Sequence, residues 1–405
     1  MLAQMRLSIF IMAATLFGGV ATAQSVEWRG NRTGVYNNEK GLLKKWEQGG
    51  AKLLWHFDGL DEGHSSVAIA GDKIYVTGMS GDEGFIYVLD KTGKLLHKKG
   101  YGKEWAASYN GTRGTVTIDN GRLHVVSGMG EVYCFDANTL EGIWQKNLVK
   151  DFAAENITWG ICESPLVVKD MVIVTPGGKD CSVVALNKFS GATVWKAASV
   201  GDLSAYCSPI YVEDVQVPQI ITMMGKHIVG VDVKTGELLW NYEWINKYDV
   251  HANTPIYDKG MLLCTSGYGK GSVMLRLTSG ARGVEKVWEL ADIDNRIGAM
   301  VKVGDYVYGS GDMNKFWFCV DWKTGTIKYK EKALPIGVTI AADGMLYCYS
   351  DRGDMALVPI NPEKFEIVSR FPIEMGTAQH WAHPVINDGV MYVRHGNTLM
   401  AYAVK

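Results

Sequence analysis

Short runs of alternating apolar and polar residues recur along the chain, each closed by a glycine, aspartate or asparagine turn. Val229, Val231 and Val233 alternate with Gly230 and Asp232, the period-2 pattern of a half-buried strand. Lys234-Thr235-Gly236 then supplies turn chemistry, with Gly236 free to take φ > 0, and Leu238-Leu239-Trp240 starts another strand. No long amphipathic helical pattern follows the N-terminus. The pattern predicts an all-β protein.

The strand–turn–strand stretch from Val231 to Trp240 recurs. Cys319 to Tyr329 keeps its order with Tyr329 in place of Trp, and Ala185 to Trp195 keeps it with Asn187 for Asp. Cys134-Phe135-Asp136 leads to Trp144 at the same distance. Val88 to Gly93 is one residue shorter and places His97 where the Trp belongs. A second marker, a Gly or Asp turn before an alternating strand, begins near 71, 120, 169, 217, 258, 304, 343 and 388. The spacing of about 40–50 residues is that of four-stranded propeller blades. Eight starts predict an eight-bladed β-propeller of antiparallel blades. The start at Val217 is the most diverged, and without it the count is seven.

The last unit stops at Lys405 without an outer strand, whereas Lys52-Leu53-Leu54-Trp55-His56-Phe57 is an outer strand with no unit before it. Pairing the two closes the ring and leaves no open sheet edge. Residues 24–405 are therefore expected to form a single propeller domain. Trp55, Trp144, Trp195, Trp240 and Trp288, with Tyr329, recur once per blade and are expected to wedge between neighbouring blades.

Composition adds limits. The 405 residues are 47% hydrophobic and 21% charged, with 47 Gly and 10 Pro, which suits many glycine turns between short strands. A formal net charge of −2 provides no basic field for nucleic acid. Arg6, an apolar run from Leu7 to about Val20 and the small-x-small site Ala21-Thr22-Ala23 read as a secretory signal peptide over 1–23. The run is shorter than the ~20 apolar residues a membrane span needs. No Cys follows the cleavage site, so the expectation is a periplasmic or extracellular protein without a lipid anchor. The seven cysteines form no CxxC, and their odd number and strand positions favour small buried apolar side chains, leaving one disulfide open.

Candidate chemistry lies where the inner strands begin, at one mouth of the channel. The triplets before each start marker include Glu163-Ser164-Pro165, Asn253-Thr254-Pro255 and Ala382-His383-Pro384. Their first residues and the preceding loops are expected to ring the mouth with His64, Arg113, Glu163, Asn253, Arg296, His380 and His383. Trp105, Tyr109, Trp159, Tyr206 and Trp381 flank them. Two Arg, a carboxylate, an amide and stacking faces suit a small anionic or polyhydroxylated planar ligand. The plain structural alternative is a polar channel whose groups satisfy one another. His380 and His383 are poorly spaced for a metal on a strand.

These residues resemble the pyrroloquinoline-quinone-like β-propeller repeat proteins. The A/V-x-D-x-x-T-G-x-x-x-W unit and the blade count carry the likeness over nearly all of residues 24–405. Trp28-Arg29-Gly30-Asn31-Arg32-Thr33-Gly34, Trp159-Gly160-x-x-Glu163-Ser164-Pro165 and Trp381-Ala382-His383-Pro384 resemble a branch labelled polyvinyl-alcohol-dehydrogenase-like or outer-membrane assembly factor B-like. Two functions are implied. One is a ligand- or protein-binding scaffold in the cell envelope with an envelope protein partner, the reading favoured here. The other is a quinoprotein dehydrogenase oxidising an alcohol with pyrroloquinoline quinone and Ca²⁺. Its resemblance-implied roles fall on Glu163 and Asn253 for Ca²⁺, Asp294 or Asp292 as base and Arg296 on the quinone. The adjacent-Cys ring that covers the quinone in many such enzymes is absent here.

Overall fold

The computed structural model describes residues 25–298 and 300–405, so the leader read at 1–23 lies outside the described residues. Eight antiparallel four-stranded blades follow one another, the seventh extended by one short parallel strand, Val35–Tyr36. Blade 1 consists of Ala68–Ala70, Lys73–Ser80, Glu83–Asp90 and Leu95–Lys103, in sequence order from the axis outward. The innermost strands of blades 2 to 8 are Thr117–Asp119, Leu166–Val168, Ile210–Val212, Ile256–Asp258, Val301–Val303, Gly337–Ala342 and Val385–Asn387. The diverged Val217 start opens a full blade: Gln219–Met223 pairs with both Ile210–Val212 and His227–Asp232. The count is eight.

In blade 8 the outermost strand comes from the other end of the chain. Lys52–Phe57 pairs antiparallel with Thr398–Ala403, with Phe57 opposite Leu399 and Lys52 opposite Ala403. The ring is closed by hydrogen bonds rather than by a linker.

Eight apolar clusters hold the ring, one at each junction between neighbouring blades. The junction of blades 8 and 1, for example, packs Val385, Tyr392 and Leu399 against Val67, Ile74 and Tyr87. That of blades 3 and 4 packs Ile173 and Ala185 against Ile220, Val229 and Val231. The second and third strands of a blade are buried on both faces because both faces meet a neighbouring blade, which explains buried runs such as Gln219–Met223 and Met345–Ser350, while outer strands such as Leu95–Lys103 are largely exposed.

The recurring Trp has a consistent geometry. The Trp195 indole lies over Gly236, where a Cβ would sit 2.8 Å from the ring, and its Nε1 donates to Val233 O at 3.0 Å. Trp55 meets Gly93 and Lys91 O, Trp144 meets Gly191 and Lys188 O, and Trp288 meets Gly325 and Trp322 O in the same way. Each Trp thus reaches the turn of the following blade. That turn is shaped to receive it. Asp232 Oδ1 accepts from Lys234 N and Thr235 N, and Gly236 takes φ 76°.

Trp240, in the best-kept copy of the motif, departs from this rule. Blade 5 has no Asp turn at the matching place; Leu277-Thr278-Ser279-Gly280-Ala281 stands there instead. The indole of Trp240 turns back over Gly230 of its own blade and donates to Gln219 Oε1 at 2.7 Å. Gln219 Nε2 in turn donates to Ala281 O of blade 5 at 3.0 Å. A buried amide relays a contact that the indole makes directly elsewhere.

Candidate functional site: the axial cavity

In blades 3, 5 and 8 the inner strands begin directly after the triplets Glu163–Pro165, Asn253–Pro255 and Ala382–Pro384, so each of these triplets crosses the mouth of the ring before its strand starts. Extended chain alternates its side chains between two sides. Cys162 and Ser164 therefore face the axis while Glu163 turns into its blade. Tyr206 and Ser208 face it while Cys207 does not, and Trp381 and His383 face it while Ala382 does not. These residues line a cavity of about 260 Å³ on the axis.

Its walls are largely aromatic: Trp159 and Tyr206 on one side, Trp381 and Tyr109 on another, and Tyr268. Trp381 packs against both His64 and Tyr109, with ring centroids 5.1 and 5.3 Å apart. At the level of the inward residues a belt of hydroxyls ties successive blades. Ser66 N donates to Thr115 Oγ1, Thr115 N to Ser164 Oγ and Ser164 N to Ser208 Oγ, at 2.9, 3.1 and 2.9 Å.

The floor is supplied by the N-terminal segment. Val26 bridges to Ile118 of blade 2, and Val35–Tyr36 pairs parallel with Ala341–Ala342 of blade 7, so the segment spans the channel. Between them Arg29, Gly30, Asn31 and Arg32 all adopt positive φ, at 53°, 50°, 55° and 65°. A left-handed turn costs roughly 1–2 kcal/mol per non-glycine residue, and two buried guanidinium groups hold it. Arg29 donates to Met300 O, Thr339 O and Gly298 O, and Arg32 to Ser164 O, Pro165 O and Glu27. Trp28 is thereby presented to the cavity, 5.0 Å from the His383 ring. His383 Nε2 reaches across to Ile297 O at 3.3 Å. The cavity is a blind cup.

Charge in the cup is positive. Among the described residues Arg113 makes no ion pair; its guanidinium is held by the carbonyls of Ser108, Tyr109 and Gly111. Arg296 enters from blade 6, opposite blade 2 in a ring of eight, and bonds Asp312 at 3.0 Å. Burial, with Arg394 and Arg113 nearby, lowers the His64 imidazole to about 3. Glu104, outside the lining, is pushed up to about 7 by burial, and Tyr101 and Gly128 N bond to it.

Residues 82–331 match the family model described as outer membrane protein assembly factor BamB. The chain belongs to the BamB family. Among solved structures, BamB from Moraxella catarrhalis is 15% identical with a TM-score of 0.64, covering 87% of this chain and 99% of that one. A europium-containing methanol dehydrogenase is 15% identical with a TM-score of 0.65, over 92% of this chain and 90% of that one. A quinohemoprotein alcohol dehydrogenase from Comamonas testosteroni is 13% identical with a TM-score of 0.65, over 92% and 79%. At these identities the likeness is one of fold. An uncharacterized protein of Rickettsia conorii is 26% identical over 155 residues, 38% of this chain and 34% of that protein. One of Rickettsia prowazekii is 24% identical over 198 residues, 48% and 43%. The chain spans less than half the length of these curated relatives.

In this BamB-family propeller the sequence candidates divide. Arg113, Trp159, Arg296, Trp381 and His383 line the cavity, as do His64, Tyr109 and Tyr206. Glu163 does not. It is 1% exposed, its oxygens take Thr175 N and Thr175 Oγ1 at 3.0 and 2.7 Å, and burial raises it to about 7. Asn253 donates to Asn295 O within its blade junction. Asp294 accepts from the backbone N–H groups of Gly269, Asp312 and Met313, and Asp292 pairs with Lys330 at the surface. His380 stacks on His395, centroids 3.7 Å apart, outside the lining. The oxygen donors that Ca²⁺ requires do not converge on the cavity, so this donor set does not fit a Ca²⁺-bound quinone. Among the described residues, no group of three or more His, Cys, Asp or Glu side chains converges. Trp28, Cys162, Ser208 and Tyr268 also line the cavity, although the sequence pattern does not single them out as lining.

Proposed function

We propose that this protein binds rather than turns over its ligand. It is an exported envelope propeller that seats a small planar anion in the axial cup and presents the surrounding face to an envelope partner. The observation that carries this reading is the division of charge. The Arg113 guanidinium, with no carboxylate on it, faces the cavity, while Glu163 and Asp294 are spent inside the blades. A site that offers a cation and aromatic faces but no carboxylate suits anions, and the carboxylates that the dehydrogenase reading needs lie outside it. Membership of the BamB family and the leader-like residues 1–23 support the envelope location; no described helix is long and apolar enough to cross a membrane.

Titration of intrinsic Trp fluorescence with benzoate, and with pyrroloquinoline quinone with and without Ca²⁺, tests the reading. Both anions are expected to bind independently of Ca²⁺, at least tenfold more weakly in Arg113→Gln and unchanged in Glu163→Gln. Ca²⁺-dependent quinone binding that Glu163→Gln abolishes, with alcohol-dependent dye reduction, would establish the dehydrogenase instead.

A further inference from the structure

Residues 373–384 join blade 7 to blade 8 and bring Trp381 and His383 to the cavity. The backbone of this segment holds little of itself in place. Among the described residues, no backbone N–H or C=O from Glu374 to Ala382 bonds to another backbone group. Gly376 and Ala378 take φ 101° and 66°, a left-handed backbone that a non-glycine residue such as Ala378 adopts only at a cost. Thr377 Oγ1 donates to Asn397 at the exposed edge. The buried tie is a single side chain of blade 8. His395, 7% exposed, meets Met375 O with Nδ1 at 2.8 Å and Ala378 O with Nε2 at 3.1 Å. Gly376 lies so close to the same residue that a Cβ there would sit 2.2 Å from His395 O.

A carbonyl oxygen only accepts, and a neutral imidazole has one N–H to give. Meeting both carbonyls takes the imidazolium; the neutral ring sets a nitrogen lone pair against one of them. His380 stacks on His395, ring centroids 3.7 Å apart, and its Nδ1 bonds the Tyr349 hydroxyl. Burial, with the His395 charge beside it, lowers His380 to about 4, so this partner stays neutral at physiological pH. The other ionisable groups around the pair are engaged elsewhere. Asp354 of blade 7 pairs with Arg370, and Arg394 turns its guanidinium into the junction with blade 1. Asp58 bonds Thr398, the residue opposite His395. Resting on the binding function proposed above, we infer that His395 is a positioning residue for the cup and that its proton regulates ligand binding. As a cation it clamps the segment and sets Trp381 in the cavity wall against His64 and Tyr109. On losing a proton it releases one carbonyl, the strained segment relaxes and the wall opens. Affinity is full at low pH and falls as pH rises, because only the clamped fraction of the protein binds.

The test titrates benzoate, ionised throughout, into the intact protein by calorimetry at pH 5.5 and pH 8.5. Affinity is expected to fall at least fivefold at the higher pH in the parent and less than twofold in His395→Gln, whose amide donates to one carbonyl at either pH. The buried glutamates titrate in both proteins, so the difference between the two isolates His395. In ¹⁵N-labelled protein both His395 ring nitrogens are expected to carry hydrogen at pH 5.5 and one to lose it by pH 8.5, with the Trp381 indole resonance moving in step, a readout that needs no variant. If only one nitrogen carries hydrogen at pH 5.5, if benzoate binds equally at both pH values, or if His395→Gln keeps the parent's pH dependence, the clamp is wrong and the anion-binding function stands. If benzoate binds at neither pH, the binding function itself fails and its regulation with it.

Discussion

Gln219 joins two blades through one amide, and its replacement separates two contributions. In Gln219→Leu the side-chain volume is nearly kept, but Trp240 Nε1 loses its acceptor and Ala281 O its donor, both in a buried junction. Each unmet buried group costs about 1–3 kcal/mol, so a loss of about 3 kcal/mol is expected. Gln219→Glu reproduces the relay only while protonated: its carbonyl accepts from the indole and its hydroxyl donates to Ala281 O. The folded state therefore raises the pKa of this acid above the unfolded value of about 4.3. The stability it contributes is complete below that value and is lost as pH rises. At about 1.4 kcal/mol per pH unit, holding the proton at pH 7 costs about 3–4 kcal/mol. Urea unfolding followed by Trp fluorescence, at pH 4.5 and pH 7, measures both variants. Gln219→Glu should lie within about 1 kcal/mol of the parent at the lower pH and match or exceed the loss in Gln219→Leu at the higher. A Gln219→Leu variant as stable as the parent, or a Gln219→Glu variant indifferent to pH, would refute the relay.

Two other outcomes follow from the packing and the buried acids. Gly236→Ala puts a Cβ 2.8 Å from the Trp195 ring at φ 76° and should destabilise by about 2 kcal/mol or more. Gly260→Ala, at φ 81° with open space around it, should show the backbone cost alone, so equal losses in urea midpoints would remove the docking role. Glu163 and Glu104 are both raised by burial to about 7, so each stabilises the fold fully below about 4.5 and loses that contribution as pH rises through 7. Stability should fall between pH 5 and pH 8, by about 3 kcal/mol per group at most, and Glu163→Gln should flatten its share of the slope; a parent protein equally stable across that range would contradict the assignment.

The blades were legible because their signals are local. An Asx turn needs Asp232, Thr235 and Gly236 within a few residues of one another, and a strand shows its period over five. Ring closure was legible too, because an orphan outer strand at one end and a missing one at the other are complementary absences. The cavity was only half legible. A one-residue shift in an extended segment exchanges inward for outward side chains, so Glu163 and Asn253, read as lining, turn away from the cavity, while Cys162 and Ser164 beside the first and Ala252 beside the second face it. Trp28 was harder still, since its place on the floor depends on Arg29 and Arg32 reaching carbonyls far away in sequence. Trp240 shows the limit of motif reading: its own sequence is the best copy, but the partner turn that a docking Trp requires is missing from the next blade.

The seam in blade 8 also sets a timetable. Phe57 leaves the ribosome roughly 340 residues before its partner Leu399. At ~5–20 residues per second, the Lys52–Phe57 strand waits roughly 20–70 seconds as an unpaired edge. The other blades can each form as their own four strands emerge. The final one needs both ends of the described chain at once. Until then the nascent protein is an open arc with two complementary sheet edges, one at each end, and the cell must keep it from pairing with a neighbouring copy.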